Sequence, residues 1–419
     1  GRSQAASIPR VDAASIFASA HALCEAEAGR LWGVSLCVPM MVADANTHQA
    51  MTKIAVRGST RDGDLFRLTL PTAAEISTAP VEYDGISWAQ IMWPLVGSAD
   101  FRAVLLMHES FHIVQPKLGF TGYAGTGSIS GDASLDTQAG RIWLRGELHA
   151  LRAALETNGE ARTRALHDAL AMRLYRASLF AGTAEQEREQ DIMEGLAEGT
   201  GIDAGLPPGH RIAYALRDMA FVEAQPSYAR SFAYATGPAY SEILDAAKPR
   251  WRRGVTPASD ITHLAMRAYG LSVAVPTASQ AQAIILRYGG AEIESQEEAR
   301  AARKTAQDAM YTHDLVSGPT ITLPMTHFKI TFNPRDIETL AQYGSVYHTL
   351  NVSAPWGTIV VSGGAALISK NFHVLRVAAP ADARGNIVQG QGWTLNVAPG
   401  YAIVPDPKKI GSFVVSGQH

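Results

Sequence analysis

Residues His108-Glu109-Ser110-Phe111-His112 lie inside an apolar run and constrain this chain more than any other feature. On a helix the two histidines lie one turn apart and project from the same face. Two imidazoles placed in this way can hold one zinc ion, and the glutamate beside the first histidine can take a proton from a metal-bound water. The pattern therefore predicts a helix that carries the chemistry of a zinc hydrolase.

The alternative is a pair of buried histidines that hydrogen-bond within the protein and hold no metal, because a polar group in an apolar helix needs a partner. The helix itself is expected, since Ser98 and Asp100 supply capping residues before it and Pro116 follows it. A catalytic zinc usually has three protein ligands, so the presence of a third ligand decides between the two interpretations.

The third ligand must come from another part of the chain. The position six residues after His112 is Leu118 rather than a third histidine, and Gly125–Ser128 has a serine where an aspartate ligand would stand. Glu194 and Glu198 remain, four residues apart on a later predicted helix and on one face of it. We therefore expect one of them, Glu194, to complete the zinc site.

The same predicted helix contains Gly195 and Gly199, although interior glycine costs about 1 kcal/mol of helix stability. We expect these glycines to let the helix approach the histidine helix closely. The alternative for the two glutamates is a solvated face, because Glu187 and Asp191 extend them into an acidic stripe. Glu147 is the reserve candidate for the third ligand.

On these motifs, the region from His108 to about Asp245 resembles the gluzincin zinc metallopeptidases, in which H-E-x-x-H is followed by a glutamate ligand on a downstream helix. Two departures are a longer gap before the third ligand and a glutamate where the second acid is more often aspartate. The resemblance implies five site residues, which are the zinc ligands His108, His112 and Glu194, the general base Glu109, and Glu198, which orients a histidine.

Amide hydrolysis also needs a donor for the developing oxyanion, which in gluzincins is usually a tyrosine or histidine on a later helix. A turn at Gly237-Pro238 is predicted to open such a helix, with Tyr234 just before it and Tyr240 just inside it. Either hydroxyl could serve, with Tyr234 ranked first, or both tyrosines are ordinary half-buried aromatics. Arg230 is a candidate for binding a substrate carboxylate.

By the same resemblance, the aromatic-rich strand over Tyr83–Pro94 is predicted to form the upper wall of the cleft, where an edge strand can pair with an extended peptide. Trp88 in this strand is a candidate substrate-binding residue. The glycine-rich segment Gly119–Gly131 is interpreted either as a lid over the cleft or as a plain connector.

Composition excludes several classes of protein. With 47% hydrophobic and 18% charged residues, the chain is globular rather than disordered. A net charge of −3 argues against a nucleic-acid partner, and no apolar stretch is long enough to span a membrane. Cys24 on the first predicted helix and Cys37 on the first predicted strand fit either one disulfide or two buried thiols. The few lysines and a start without Met favour a periplasmic or extracellular protein trimmed after a signal peptide.

The pattern of elements predicts an α+β protein in three parts. Residues 1–130 hold a small sheet and the histidine helix, residues 131–315 form a mostly helical subdomain with the third ligand, and residues 316–419 form an all-β domain, a sandwich or barrel. Helices are predicted at 11–30, 135–157, 160–182, 184–199, 208–224, 236–247, 259–269 and 278–311. Strands are predicted at 33–43, 50–57, 64–70 and 86–94, and in the last part at 320–323, 328–332, 357–361, 366–369, 373–378, 394–397 and 410–415.

These observations predict a zinc-dependent metallopeptidase acting on peptide or protein substrates. Three alternatives stay open. The first is a zinc-binding but catalytically inactive scaffold of gluzincin fold, with recognition by the β domain. The second is a zinc hydrolase of a non-peptide amide. The third is a structural protein in which the motif occurs by chance.

Overall fold

The computed structural model describes residues 7–121, 132–333 and 336–417. It divides into two compact units, Gly1–Glu297 and Glu298–His419. The first unit contains a six-stranded sheet and a group of helices, and the second contains a ten-stranded sheet. The α+β class expected from the sequence, with a small N-terminal sheet, a helical region and a C-terminal all-β region, is confirmed. Within the described ranges, every helix is too short or too polar to cross a lipid bilayer.

The helices follow the predicted spans closely. They are α1 (Arg10–Glu27), α2 (Ala99–Val114), α3 (Gln138–Glu156), α4 (Gly159–Leu179), α5 (Thr183–Gln190), α6 (Leu196–Gly205), α7 (Pro208–Glu223), α8 (Ala233–Ala247), α9 (Ile261–Ala268), α10 (Ala278–Leu286) and α11 (Gly290–Thr312). The prediction of one helix over 278–311 is wrong. Gly289 has a φ of 81°, outside the right-handed helical region, and separates α10 from α11.

The first sheet contains β1 (Met40–Ala43), β2 (Gln49–Thr52), β3 (Thr60–Asp62), β4 (Leu65–Thr69), β5 (Ala79–Tyr83) and β6 (Ile86–Met92). Their order across the sheet is β3-β4-β2-β1-β6-β5, with β1 and β6 parallel and the other pairs antiparallel. The predicted strand over Tyr83–Pro94 is therefore not the edge, because β5 covers its outer side. The sequence gives little sign of β5, which contains Pro80 and has no buried residue.

Alternation along β6 sends its side chains to two different cores. Ala89 and Ile91 pack into the large core that contains α2, whereas Trp88 packs into a smaller core with Met41 and Leu68 on the other side. α2 begins as expected, because the Ser98 hydroxyl accepts a hydrogen bond from the Phe101 N–H at 3.2 Å. The sheet therefore supports the histidine helix from one face only.

Cys24 and Cys37 form a disulfide, which decides between the two interpretations of the cysteines. Cys24 lies in α1, as expected. Cys37 lies in irregular chain before β1 rather than in a strand, because the predicted strand over 33–43 is limited to Met40–Ala43.

The second unit contains β7 (Thr320–Pro324), β8 (Lys329–Phe332), β9 (Ile337–Leu340), β10 (Gly344–Ala354), β11 (Gly357–Ser369), β12 (Val374–Ala378), β13 (Ile387–Gly390), β14 (Trp393–Val397), β15 (Tyr401–Pro405) and β16 (Phe413–Gly417). The two strands predicted at 357–361 and 366–369 are one long strand, β11. It pairs with β10 on one side and with β12 and β14 on the other, so it is the centre of this sheet.

Candidate metal centre

Two histidines of α2 and one glutamate from the helical region converge at one point of the first unit. The Nε2 atoms of His108 and His112 lie 2.9 Å apart, and each lies 3.5 Å from Glu194 Oε2. All three residues are at most 9% exposed. Ligand atoms at about 2.0–2.1 Å from a tetrahedral zinc are about 3.3 Å from one another, so the observed spacing fits such an ion.

The far side of each imidazole is held by a hydrogen bond. His108 Nδ1 lies 2.6 Å from Glu198 Oε2, and His112 Nδ1 lies 2.7 Å from Gln115 Oε1. Carboxylate and amide oxygens accept, so each ring is expected to carry its proton on Nδ1. Both Nε2 atoms then face the same point and, when they carry no proton, offer the lone pairs that a metal ligand requires.

Gln115 was missed by the sequence analysis, although it lies three residues after His112 on the same side of the chain. Its Nε2 donates to the carbonyl oxygens of Met193 at 2.8 Å and Ile192 at 3.3 Å. This fixes which end of the amide faces the ring, because the nitrogen end is already occupied by two acceptors. Gln115 therefore orients His112 in the same way as Glu198 orients His108.

Glu109 is buried beside the donor set, at 5% exposure. Among the described residues, its Oε2 atom has no hydrogen-bond partner. Burial raises the pKa of Glu109, and the nearby histidines only partly oppose this. A carboxylate with a raised pKa and an oxygen without a partner is suited to taking up a proton and returning it.

The contact between His108 and Glu194 shifts the pKa of both groups. Burial acts to raise the pKa of Glu194, but hydrogen bonds from His108 and His112 outweigh it and hold that pKa far below its ordinary value. Burial likewise acts to lower the pKa of His108, and its contacts with Glu194 and Glu198 reverse the effect, so the pKa lies well above 6.5. The site therefore attracts positive charge between its donor atoms.

Glu194 lies in a π-helical turn, Asp191–Gly195, that joins α5 to α6. The predicted single helix over 184–199 is therefore interrupted at the residues that matter for the site. A π turn inserts one extra residue into the helical path and shifts the directions of the side chains within it. Glu194 lies inside the turn and Glu198 lies in α6, and both contact His108.

The glycines of this region pack differently from the prediction. Gly195 and Gly199 face α8 rather than the histidine helix: a Cβ at Gly195 would lie 3.0 Å from Gly237 Cα, and one at Gly199 would lie 2.5 Å from Ser241 Oγ. The close approach to α2 is made by Gly201 and Gly205, where a Cβ would lie 2.7 Å and 2.8 Å from backbone atoms of α2.

Tyr234 is brought to the site and Tyr240 is not. The Tyr234 hydroxyl donates to Glu194 Oε2 at 2.8 Å, and its ring lies parallel to that of His108 at 5.7 Å. The Tyr240 hydroxyl donates instead to Glu147 at 2.8 Å in the protein interior. The prediction that Gly237-Pro238 opens this helix is wrong, because α8 begins at Ala233 and contains both residues.

Three further candidates lie away from the donor atoms. Trp88 is fully buried, and its indole N–H donates to the Tyr83 carbonyl at 3.0 Å, so it is not placed to bind substrate. Arg230 is exposed and does not line the cavity beside the histidines. Glu147, the reserve ligand, pairs with Arg176 at 2.7 Å instead.

The acidic stripe is not a solvated face, because all four of its carboxylates are buried. Glu194 and Glu198 contact the histidines, and the other two pair with buried arginines. Arg176 Nη2 lies 2.7 Å from carboxylate oxygens of both Glu147 and Glu187. Arg173 contacts the same two glutamates and also binds Asp191. We refer to this group as the ion-pair cluster, and its members are Glu147, Arg173, Arg176, Glu187 and Asp191.

A cavity of about 650 Å³ opens beside His108 and Glu109. Its wall is mainly apolar, and it includes three exposed large hydrophobic side chains, namely Val96 at 67%, Phe101 at 40% and Phe221 at 65%. Exposed apolar side chains that share one concavity mark a binding site more often than isolated ones do. The sequence analysis missed this cavity, because its walls come from α2, α7 and the chain before α2.

Asp218 is one of several polar residues in the cavity wall. Its Oδ2 atom is buried and has no hydrogen-bond partner among the described residues. Burial, together with the nearby Glu198, raises the pKa of Asp218 to about 9.

Two other groups of metal-binding residue types occur in the described part of the chain. One contains Cys24 and Cys37, whose sulfurs are bonded to each other and are not thiolates. The other contains Asp203 and Asp245, which pair with Arg252. Neither is comparable with the histidine site. Of the glycine-rich segment predicted as a lid or connector, residues 122–131 lie outside the described residues.

No model of a known protein family, no curated protein and no solved structure matches this chain. The resemblance to gluzincins therefore stays a prediction from the motifs. Any function must be argued from the chemistry of the site itself.

Proposed function

We propose that this protein binds one zinc ion through His108 Nε2, His112 Nε2 and Glu194 Oε2 and hydrolyses peptide bonds. The observation that carries the proposal is the pair of imidazoles held through Nδ1, with both Nε2 atoms aimed at a buried carboxylate. Two nitrogens and one carboxylate are a frequent ligand set of catalytic zinc. When bound, zinc polarises a carbonyl and lowers the pKa of its water to about 7.

Glu109 is proposed as the group that moves the proton. Its carboxylate takes a proton from the attacking water and returns it to the nitrogen of the leaving amine. The burial that raises its pKa and the oxygen without a partner support this role. Tyr234, whose hydroxyl lies at the ligand set, is the proposed donor to the oxyanion.

The apolar cavity is suited to a peptide substrate that has a large apolar side chain next to the bond that is cut. Such side chains gain most from an apolar wall, and a volume of about 650 Å³ accommodates an aromatic ring. β5 is the outer strand of the sheet, and Thr78 immediately before it lines the cavity. We infer that an extended substrate pairs with the free edge of β5.

The disulfide bears on where such an enzyme acts. Disulfides persist in oxidising compartments and are rare in the cytosol. The Cys24–Cys37 bond therefore supports a periplasmic or extracellular location, which remains part of the proposal.

The test is a comparison of the wild-type chain and Glu109→Gln, both loaded with zinc, on a peptide library rich in aromatic and aliphatic residues. We expect the wild type to cleave and the variant to keep its zinc while losing about 10²–10⁴-fold in rate, as expected for loss of a general base. Glu160→Gln, which changes an exposed glutamate at the start of α4, is the matched control and should retain full activity.

An active Glu109→Gln variant would contradict the mechanism. A wild-type chain that binds zinc and cleaves none of the peptides would favour the inactive scaffold. A chain that cleaves a non-peptide amide instead would keep the site and change the substrate.

A further inference from the structure

The π turn Asp191–Gly195 connects two of the residues that define the proposed metal site. It carries Glu194 directly. It also contributes the carbonyl oxygens of Ile192 and Met193, which hold the side-chain amide of Gln115. Gln115 in turn holds His112 through its Nδ1 atom. One short segment of backbone therefore sets the position of one ligand and the ring orientation of a second.

The hydrogen bonding of the π turn explains why the Ile192 carbonyl is accessible. In an α-helix the N–H of Leu196 would bond to the carbonyl of Ile192. Here the Leu196 N–H bonds to the carbonyl of Asp191, one residue earlier. This leaves Ile192 with an oxygen that accepts from Gln115. The contact to the histidine helix thus depends on the turn keeping its π geometry.

Asp191 is the first residue of the turn and the one that ties it to its surroundings. Its side chain is fully buried. One carboxylate oxygen accepts from the Thr236 hydroxyl of α8 at 2.7 Å, and the other binds the guanidinium of Arg173 in α4. Both contacts are to helices other than α5 and α6, so they fix the position of the turn relative to α4 and α8.

We propose that Asp191 is a positioning residue for the metal site, acting through the π turn on Glu194 and, by way of Gln115, on His112. The inference rests on the proposed zinc site. Outer-shell partners of zinc ligands typically change metal affinity by about 10–100-fold when they are replaced. Asp191 is one contact further from the proposed zinc than such partners are, but it acts on two ligands together.

The ion-pair cluster contains a matched residue that separates positioning from stability. Glu187 lies one helical turn before Asp191 and binds the same Arg173, at 3.2 Å. It belongs to α5, outside the π turn. Asp191→Asn and Glu187→Gln therefore each remove one buried negative charge from Arg173, and Glu187→Gln also removes one from Arg176. Only Asp191→Asn changes a side chain of the turn that carries Glu194.

The experiment measures the zinc affinity of the full-length wild type, Asp191→Asn and Glu187→Gln at neutral pH, by competition with a chromophoric chelator, beside their thermal unfolding. An asparagine at 191 can accept from only one of Thr236 and Arg173, because its NH2 group faces the other. We expect Asp191→Asn to bind zinc at least about tenfold more weakly and Glu187→Gln to bind it as the wild type does.

A second measurement keeps the inference distinct from the proposed function. The Nδ1–H proton of His112, observed by NMR in the metal-free chain and assigned with His112→Asn, reports the bond to Gln115. We expect its signal in the wild type and in Glu187→Gln and its loss or broadening in Asp191→Asn. A wild type that binds no zinc would contradict the proposed function, while the proton signal would still decide the role of Asp191.

Three outcomes would overturn the inference. One is wild-type zinc affinity in Asp191→Asn. Another is an equal loss of affinity in both variants, which would place the effect in general stability. The third is an unchanged His112 proton signal in Asp191→Asn.

Discussion

Two buried polar clusters meet at the π turn, and their buried charges are compensated in different ways. In the ion-pair cluster, the carboxylates of Glu147, Glu187 and Asp191 face the guanidinium groups of two arginines. In the histidine cluster, which consists of His108, His112 and Glu194, three donor atoms face one another at 2.9–3.5 Å. The first cluster contains its own cations, whereas the second has the geometry that a bound cation would complete.

The core of the second unit differs from that of the first, because it has no such polar cluster among the described residues. Its buried polar residues, within the part of the chain that the structure describes, are Thr320 and Ser412. The rest of its buried side chains are hydrophobic. Buried charge therefore marks the helical half of the chain as the place where chemistry is most plausible.

The largest effect is expected from breaking the ion-pair cluster. Arg176→Met leaves Glu147 and Glu187 buried with one arginine between them, so the free energy of unfolding should fall by about 3–5 kcal/mol. Urea unfolding measures this decrease in the free energy of unfolding. The zinc content of the folded fraction should not change, because Arg176 contacts no residue of the histidine cluster.

Arg57→Met is the control for this change. Arg57 is 85% exposed and pairs with Asp84 at 3.6 Å, so its loss should cost less than about 1 kcal/mol. Equal losses in the two variants would mean that the ion-pair cluster does not hold the helices together, and loss of zinc from folded Arg176→Met would mean that the two clusters are not separable.

A smaller effect is expected at the helix crossing behind both clusters. A Cβ at Gly237 would lie 2.2 Å from Gly195 Cα, so Gly237→Ala forces α8 away from the π turn. Overpacking of this kind costs about 1–3 kcal/mol, which urea unfolding would detect. Gly209→Ala in α7 is the control, because a Cβ there meets no atom within 4 Å and alanine favours the helix by up to about 1 kcal/mol. Similar stabilities of the two variants would show that the crossing is not tight.

The histidine cluster was predictable because its residues follow local spacing. His108 and His112 lie one turn apart on a helix whose cap, Ser98, is also readable from the sequence. Glu194 was found as a glutamate next to glycines, and the structure places it beside both histidines. Such rules depend on neighbours within one element, which a sequence displays directly.

The remaining features depend on tertiary contacts that no local pattern displays. The sequence gives no sign that Asp191–Gly195 is a π turn, and the glycines that approach α2 were assigned to the wrong positions. Tyr240 and Trp88 were chosen for their sequence context, but the first donates to Glu147 and the second to the Tyr83 carbonyl, so neither hydrogen bond reaches the site. Pro238 suggested a helix start, yet the helix begins one turn earlier and accommodates it.

Zinc content of the purified full-length protein, measured by mass spectrometry after reconstitution, tests the central claim most directly. Wild type, His108→Ala and Glu194→Ala are compared, with Glu187→Gln as a control that changes a buried glutamate of the ion-pair cluster. The account predicts one zinc per chain in the wild type and the control, and none in the two ligand variants. A wild type without zinc, or full zinc in Glu194→Ala, would contradict it.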